Sequence, residues 1–123
     1  MSTTPRIFYD RDADPSRLAG RTFAIIGYGS QGHAHALNLQ ESGAHVIVGL
    51  RAGGASWKKA SAARLDVRPV AEAARAADTI MMLVPDQDGR TIYDASVGPQ
   101  LGAGKTLMFA HGFNIHFGEI RPP

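Results

Sequence analysis

The sequence predicts an α/β fold, a doubly wound parallel sheet with helices on both faces. Three observations carry this. From Arg21 onwards short apolar runs alternate with helical patterns rich in small residues. Glycine, proline or aspartate punctuates the runs. The run Thr79 to Val84 is apolar along its length instead of alternating. A strand buried on both faces reads as a continuous apolar run. Strand alternating with helix is the pattern of βαβ units with right-handed crossovers.

Taken in order, residues 1–20 are polar, carry Pro5 and Pro15, and read as an N-terminal arm, with one domain over residues 21–123. Arg21 to Ile26 is the first strand, ending at Gly27. Ser30 to Ser42 is a helix closed by Gly43. Ala44 to Leu50 is the second strand, Ser56 to Arg64 the second helix, and Asp66 to Arg68 a very short third strand. Pro69 opens a helix at a position where its missing N–H costs little. Val70, Ala73, Ala74 and Ala77 share one face of it. Thr79 to Val84 is the fourth strand, and Asp86 to Ser96 a helix anchored by Ile92 and Tyr93. A loop with Gly98, Pro99, Gly102 and Gly104 leads to a last strand, Thr106 to Ala110. The expectation is five strands and four helices.

Composition excludes several functions. A chain of 123 residues, 44% hydrophobic and 20% charged, can form one domain with a real core. No apolar run approaches the ~20 residues of a membrane span, and the N-terminus lacks a signal-peptide pattern. The net charge of +2 comes from scattered basic residues, so neither a nucleic-acid nor a membrane footprint is expected. The absence of cysteine removes thiol nucleophiles and thiolate metal sites and fits a reducing, cytoplasmic setting.

The chemistry-bearing motif is Gly27-Tyr28-Gly29-Ser30-Gln31-Gly32, a G-x-G-x-x-G placed between an apolar strand and a helix. In a Rossmann-type fold Gly27 permits the tight turn, Gly29 lets the backbone approach a diphosphate, and Gly32 lets the helix sit close to the sheet. The positive end of the helix from Ser30 then faces the phosphates. The same string also occurs as a ligand-free turn, and the βαβ context favours the first reading. An NAD site places an acid at the end of the second strand. Here the chain reads Gly49-Leu50-Arg51, with no acid until Asp66. Arg51 offers a planar fork of donors suited to a 2′-phosphate and Ser56 adds a hydroxyl, so NADP is favoured. The alternative is a solvated loop arginine. Lys58 and Lys59 read as surface charges.

Other clusters carry less. Asp10, Asp12 and Asp14 mimic the opening of a calcium loop, but Pro15 and Arg21 stand where that loop needs glycine and glutamate. His33 and His35 are two apart on a helix and cannot share a metal, so packing or capping is expected of them. No nucleophile elbow appears, and Met81, Met82 and Met108 read as core. His111 lies just past the last strand, at the sheet end where open parallel sheets bind ligands. An imidazole there can move protons or hold a substrate oxygen. The alternative is an ordinary loop histidine. His116 reads as a loop or interface residue.

These residues resemble ketol-acid reductoisomerase (acetohydroxy acid isomeroreductase). The likeness runs through Phe8-Tyr9-Asp10, Asp12-Ala13-Asp14, the stretch Ile25 to Ala36, Val48-Gly49-Leu50-Arg51, Ala77-Asp78, Pro85-Asp86 and the stretch Phe109 to Gly118. It covers nearly the whole chain, and the last stretch is more diagnostic than the glycine motif. The resemblance implies magnesium-dependent alkyl migration in 2-acetolactate or 2-aceto-2-hydroxybutyrate, then reduction by NADPH, on the route to valine and isoleucine. It implies that Tyr28, Gly29, Ser30 and Gln31 bind cofactor phosphates. It assigns Arg51 and Ser56 to the 2′-phosphate end, the segment Asp86, Gln87, Asp88 and Gly89 to the cofactor site, and His111 to the active site. Gly54 stands where the family often has serine, which weakens the expected hold on the 2′-phosphate. The family's magnesium and substrate sit mainly on acidic residues of a second, helical domain, and its members assemble as homo-oligomers. This chain is therefore expected to be a truncated cofactor domain, without metal ligands of its own and inactive alone. The competing expectation is a non-catalytic NADP-binding module.

Overall fold

The computed structural model describes residues 4–123, so the first three residues of the expected arm lie outside the described residues. Five parallel strands, β1 (Thr22–Ile26), β2 (His45–Gly49), β3 (Asp66–Arg68), β4 (Thr79–Met82) and β5 (Thr106–Phe109), form one sheet in the order β3-β2-β1-β4-β5. Ile25, Val46 and Val48 point to one face, and Ala24, Ile26, Ile47 and Ile80 to the other, all essentially buried. That two-sided burial is why the central strands lack polar alternation.

Helices α1 (Ser30–Glu41) and α2 (Ala55–Ala62) cover the first face, and α3 (Val70–Ala76) and α4 (Asp86–Ile92) the second. Their contact residues are small: Ala36, Ala60, Ala73 and Ala74 are fully buried. Small side chains let the helix backbones approach the bulky strand residues, where one added methylene would be felt.

Two carboxyl-to-amino connections close the same way. Gly43 (φ +87°) follows α1 and Arg64 (φ +61°) follows α2, each in the left-handed region. Each turn is tied by paired amide bonds, Ala44 N–H to the Leu39 carbonyl and Leu65 N–H to the Ala60 carbonyl. At the amino edge of the sheet the Asp78 carboxylate accepts the Thr22 N–H at 2.8 Å. The Lys105 ammonium donates to the Ala74 and Arg75 carbonyls at 2.7 and 2.8 Å, closing the end of α3.

Several boundaries differ from the sequence reading. The fourth strand ends at Met82 instead of Val84, although Leu83 N–H still reaches the Ile26 carbonyl at 2.9 Å. Pro85 removes the next donor and stops the ladder. Pro69 is the N-cap of α3 instead of its first residue, and Val70 is only half-buried. The helix expected over Asp86 to Ser96 is α-helical to Ile92 and π-helical from Tyr93 to Val97. The wider turn keeps Tyr93 and Val97 buried in the core, a placement periodicity does not encode. The glycine-rich loop contains a short 3-10 turn, Gly98–Gln100, and a fifth helix, α5 (Phe113–His116), follows β5. The arm carries short 3-10 turns at Asp10–Asp12 and Pro15–Leu18. No helix among the described residues is long and apolar enough to cross a membrane.

Candidate functional site

The carboxyl ends of β1, β2, β4 and β5 open onto two adjoining concavities. A groove of about 600 Å³ is lined by Gly27 to Gln31, Leu50, Ser56 and Leu83 to Pro85. A cavity of about 320 Å³ continues from it, sharing Gln31, Leu83, Val84 and Pro85 and reaching Asp86, Gly89, His111 and Asn114.

The glycine turn is built as its spacing requires. Gly27 has φ +104°, and a Cβ there would lie 2.7 Å from the Leu83 carbonyl oxygen. A Cβ on Gly32 would collide with the Gly27 carbonyl, so α1 rests directly on the turn. Gly29 is different: a Cβ there meets nothing within 4 Å. Its lack of a side chain serves open space on the groove side. As N-cap of α1 it makes no side-chain cap, so the first N–H groups of the helix are left for an anion.

Tyr28 is buried, its hydroxyl has no hydrogen-bond partner, and its ring meets the His33 ring edge-on at 5.4 Å. Burial pushes the Tyr28 phenol up from its ordinary range. His33 is thus an exposed packing partner, while His35 is half-buried on α1.

Beyond β2, Arg51 is exposed, and its guanidinium pairs with no acid among the described residues. Ser56 lies in the first turn of α2, whose N-cap, Gly54, also makes no side-chain cap. Asp66, the next acid along the chain, is held bidentately by Arg68 at 3.0 and 2.8 Å, an ion pair the sequence reading did not foresee. Asp86 and Gly89 line the smaller cavity, whereas Gln87 and Asp88 are exposed and line neither.

His111 stands at the mouth of that cavity. Its Nδ1 accepts the Phe113 N–H at 3.2 Å, so the neutral ring carries its proton on Nε2 and presents a donor. The sequence reading also missed Asn114, which is buried and lines the cavity. A lone asparagine in an unrecognised helical turn gives no pattern to find. Among the described residues no group of three or more histidine, cysteine or acidic side chains could hold a metal ion.

A parallel sheet in this order, with a glycine turn feeding the first helix and a groove across the carboxyl ends, defines a Rossmann-type dinucleotide-binding domain. The sequence matches the acetohydroxy acid isomeroreductase NADPH-binding domain over residues 17–123, and the chain belongs to that family. The structure is similar to an NADH-preferring ketol-acid reductoisomerase from an uncultured archean, with a TM-score of 0.90 and 42% identity. The match covers 97% of this chain but 38% of that one, so the chain spans well under half the length of that enzyme. A semialdehyde dehydrogenase NAD-binding protein from Cupriavidus necator, solved with calcium and NAD, shares the fold at 22% identity. Its TM-score is 0.72, over 84% of this chain and 37% of that one.

Proposed function

We propose that this chain is the cofactor domain of a ketol-acid reductoisomerase and that it binds NADPH in preference to NADH. The carrying observation is the continuity of the two concavities: a ligand anchored at the glycine turn arrives beside His111. Main-chain amides from Gly27 to Gly32, with the uncapped start of α1, hold the diphosphate. Arg51 and Ser56 take the 2′-phosphate, supported by the absence of any acid at the end of β2. Leu50 backs the adenosine end. Asp86 and Gly89 flank the nicotinamide end.

When bound, the reduced nicotinamide supplies a hydride to a keto carbon of a small hydroxy-keto acid derived from 2-acetolactate. His111 donates from Nε2 to an oxygen of that substrate and orients it. Phe109 supplies apolar surface on one side of the cavity. Magnesium finds no fitting donor set among the described residues.

Fluorescence titration with NADPH and NADH tests the reading. Saturable binding with NADPH tighter is expected, and absence of binding by folded protein to either nucleotide overturns it. In an assay with 2-acetolactate, magnesium and NADPH, the 123-residue chain is expected to show no turnover.

A further inference from the structure

We infer that Asn114 binds the carboxamide of the nicotinamide ring and so sets the ring's position against His111. This rests on the dinucleotide reading above and adds a residue to it. Asn114 is only 5% exposed, lines the smaller cavity, and its side-chain amide has no hydrogen-bond partner among the described residues. Among the described residues only the Tyr28 hydroxyl is fully enclosed without a partner, so the Asn114 amide keeps accessible surface towards the cavity it lines and is open to hydrogen-bond what enters there.

The fold is arranged around this side chain. A Cβ at Gly89 would lie 2.6 Å from the Asn114 Nδ2, so the glycine of α4 makes the space in which the amide sits. The Asn114 carbonyl accepts the N–H of fully buried Ile120 at 3.0 Å, which fixes the backbone beneath it.

The wall narrows the ligand class. Met82, Leu83, Val84 and Phe109 supply apolar surface for a flat ring. Asp86 is the acid on the wall and disfavours an anionic group. A neutral amide on an aromatic ring fits both features. A side-chain amide offers a donor and an acceptor, which match the acceptor and donor of a carboxamide. The ring reaches this point because the cavity continues from the groove at the glycine turn.

The test compares two probes on the 123-residue chain: NADPH, and 2′-phospho-ADP-ribose, which is the same molecule without nicotinamide. Asn114→Ala is expected to weaken NADPH about tenfold, the worth of one to two hydrogen bonds, and to leave the nicotinamide-free probe within about twofold. Equal losses for both probes, or no loss for either, overturn the assignment while leaving the dinucleotide reading intact. Failure of the unsubstituted chain to bind either probe overturns both together. Should Asn114→Ala not fold, the 3-acetylpyridine analogue of NADPH reads the same contact on the unsubstituted chain. It lacks the carboxamide N–H donors and is expected to bind several-fold more weakly, and equal affinity rejects the contact.

Discussion

Alanine at Gly29 and at Gly32 separates ligand recognition from folding within one motif. Gly29 has φ −75° and ψ −163°, a conformation alanine adopts freely, and its Cβ would meet nothing within 4 Å. Losing glycine at an N-cap costs about 0.5–1 kcal/mol, while restricting the unfolded chain returns about 0.4–1 kcal/mol. Stability should therefore hardly change. The new methyl group stands in the space a diphosphate must enter to reach the first amides of α1. Displacing it removes charge-assisted hydrogen bonds worth roughly 1.5–3 kcal/mol each, so NADPH affinity should fall by about tenfold to a hundredfold. Gly32→Ala is the opposite case. Its Cβ collides with the Gly27 carbonyl oxygen and lies 2.9 Å from the carbonyl carbon, both unyielding backbone atoms. Overpacking costs about 1–3 kcal/mol, helix propensity returns about 1 kcal/mol, and α1 must lift from β1. A net loss of up to about 2 kcal/mol lowers the melting temperature by several degrees, together with binding. Calorimetric melts and NADPH titration of both variants decide the matter. Gly29→Ala with undiminished affinity would refute the placement of the diphosphate.

Arg51→Ala should weaken NADPH by roughly tenfold while leaving NADH nearly unchanged, because only the 2′-phosphate loses a partner; parallel titrations check the ratio. Tyr28→Phe should raise stability by about 1 kcal/mol, since the hydroxyl it removes is buried without a partner; a loss in the melt would show that the hydroxyl is bonded. Burial raises the phenols of Tyr28 and Tyr93, the latter also through Asp94, so both stay neutral in the fold above their ordinary pKa of about 10. The unfolded chain then binds fewer protons, so stability falls as pH rises past that value, and Tyr28→Phe should blunt the fall in denaturant titrations. Arg64→Gly should stabilise by about 0.5–1 kcal/mol by relieving a left-handed arginine, measurable as a higher denaturation midpoint.

The residues that repeat a physical requirement were legible in the sequence. The two-sided burial of β1, β2 and β4 forces unbroken apolar runs, and the Gly27, Gly29 and Gly32 spacing follows from how close α1 must come to the turn. What escaped depends on contacts distant in sequence. The change from α to π geometry at Tyr93 follows from how that ring and Val97 meet the second core cluster, not from any local signal. Four residues with two aromatic-type rings, Phe113 to His116, are too short to show a period, so α5 read as loop and Asn114 stayed unnoticed within it. The register of Asp66 with Ile47 and its pair with Arg68 depend on strand pairing as well. Gly89 becomes meaningful only once Asn114 is seen against it.

The edges of the sheet are finished in opposite ways. The amino edge is tied by Asp78 to Thr22, and Lys105 closes the end of α3. At the carboxyl edge, where the helices begin, the N-caps of α1 to α4 are Gly29, Gly54, Pro69 and Pro85, and none makes a side-chain cap. Asp14, in the arm, does cap its short helix by accepting the Ser16 N–H. A capping side chain at each bare start would add about 1 kcal/mol, but it would also occupy the amides an anion needs. Gly54→Asp puts that conflict to measurement. The backbone there, φ −75° and ψ 167°, suits aspartate, and a Cβ would make only an ordinary contact, 3.6 Å from the Arg51 carbonyl oxygen. The carboxylate should cap α2 and raise the melting temperature by a few degrees. The same charge stands between Arg51 and Ser56 and repels a 2′-phosphate, so NADPH should weaken while NADH holds. A melting temperature that rises with NADPH affinity intact would show that the start of α2 is not where the 2′-phosphate binds.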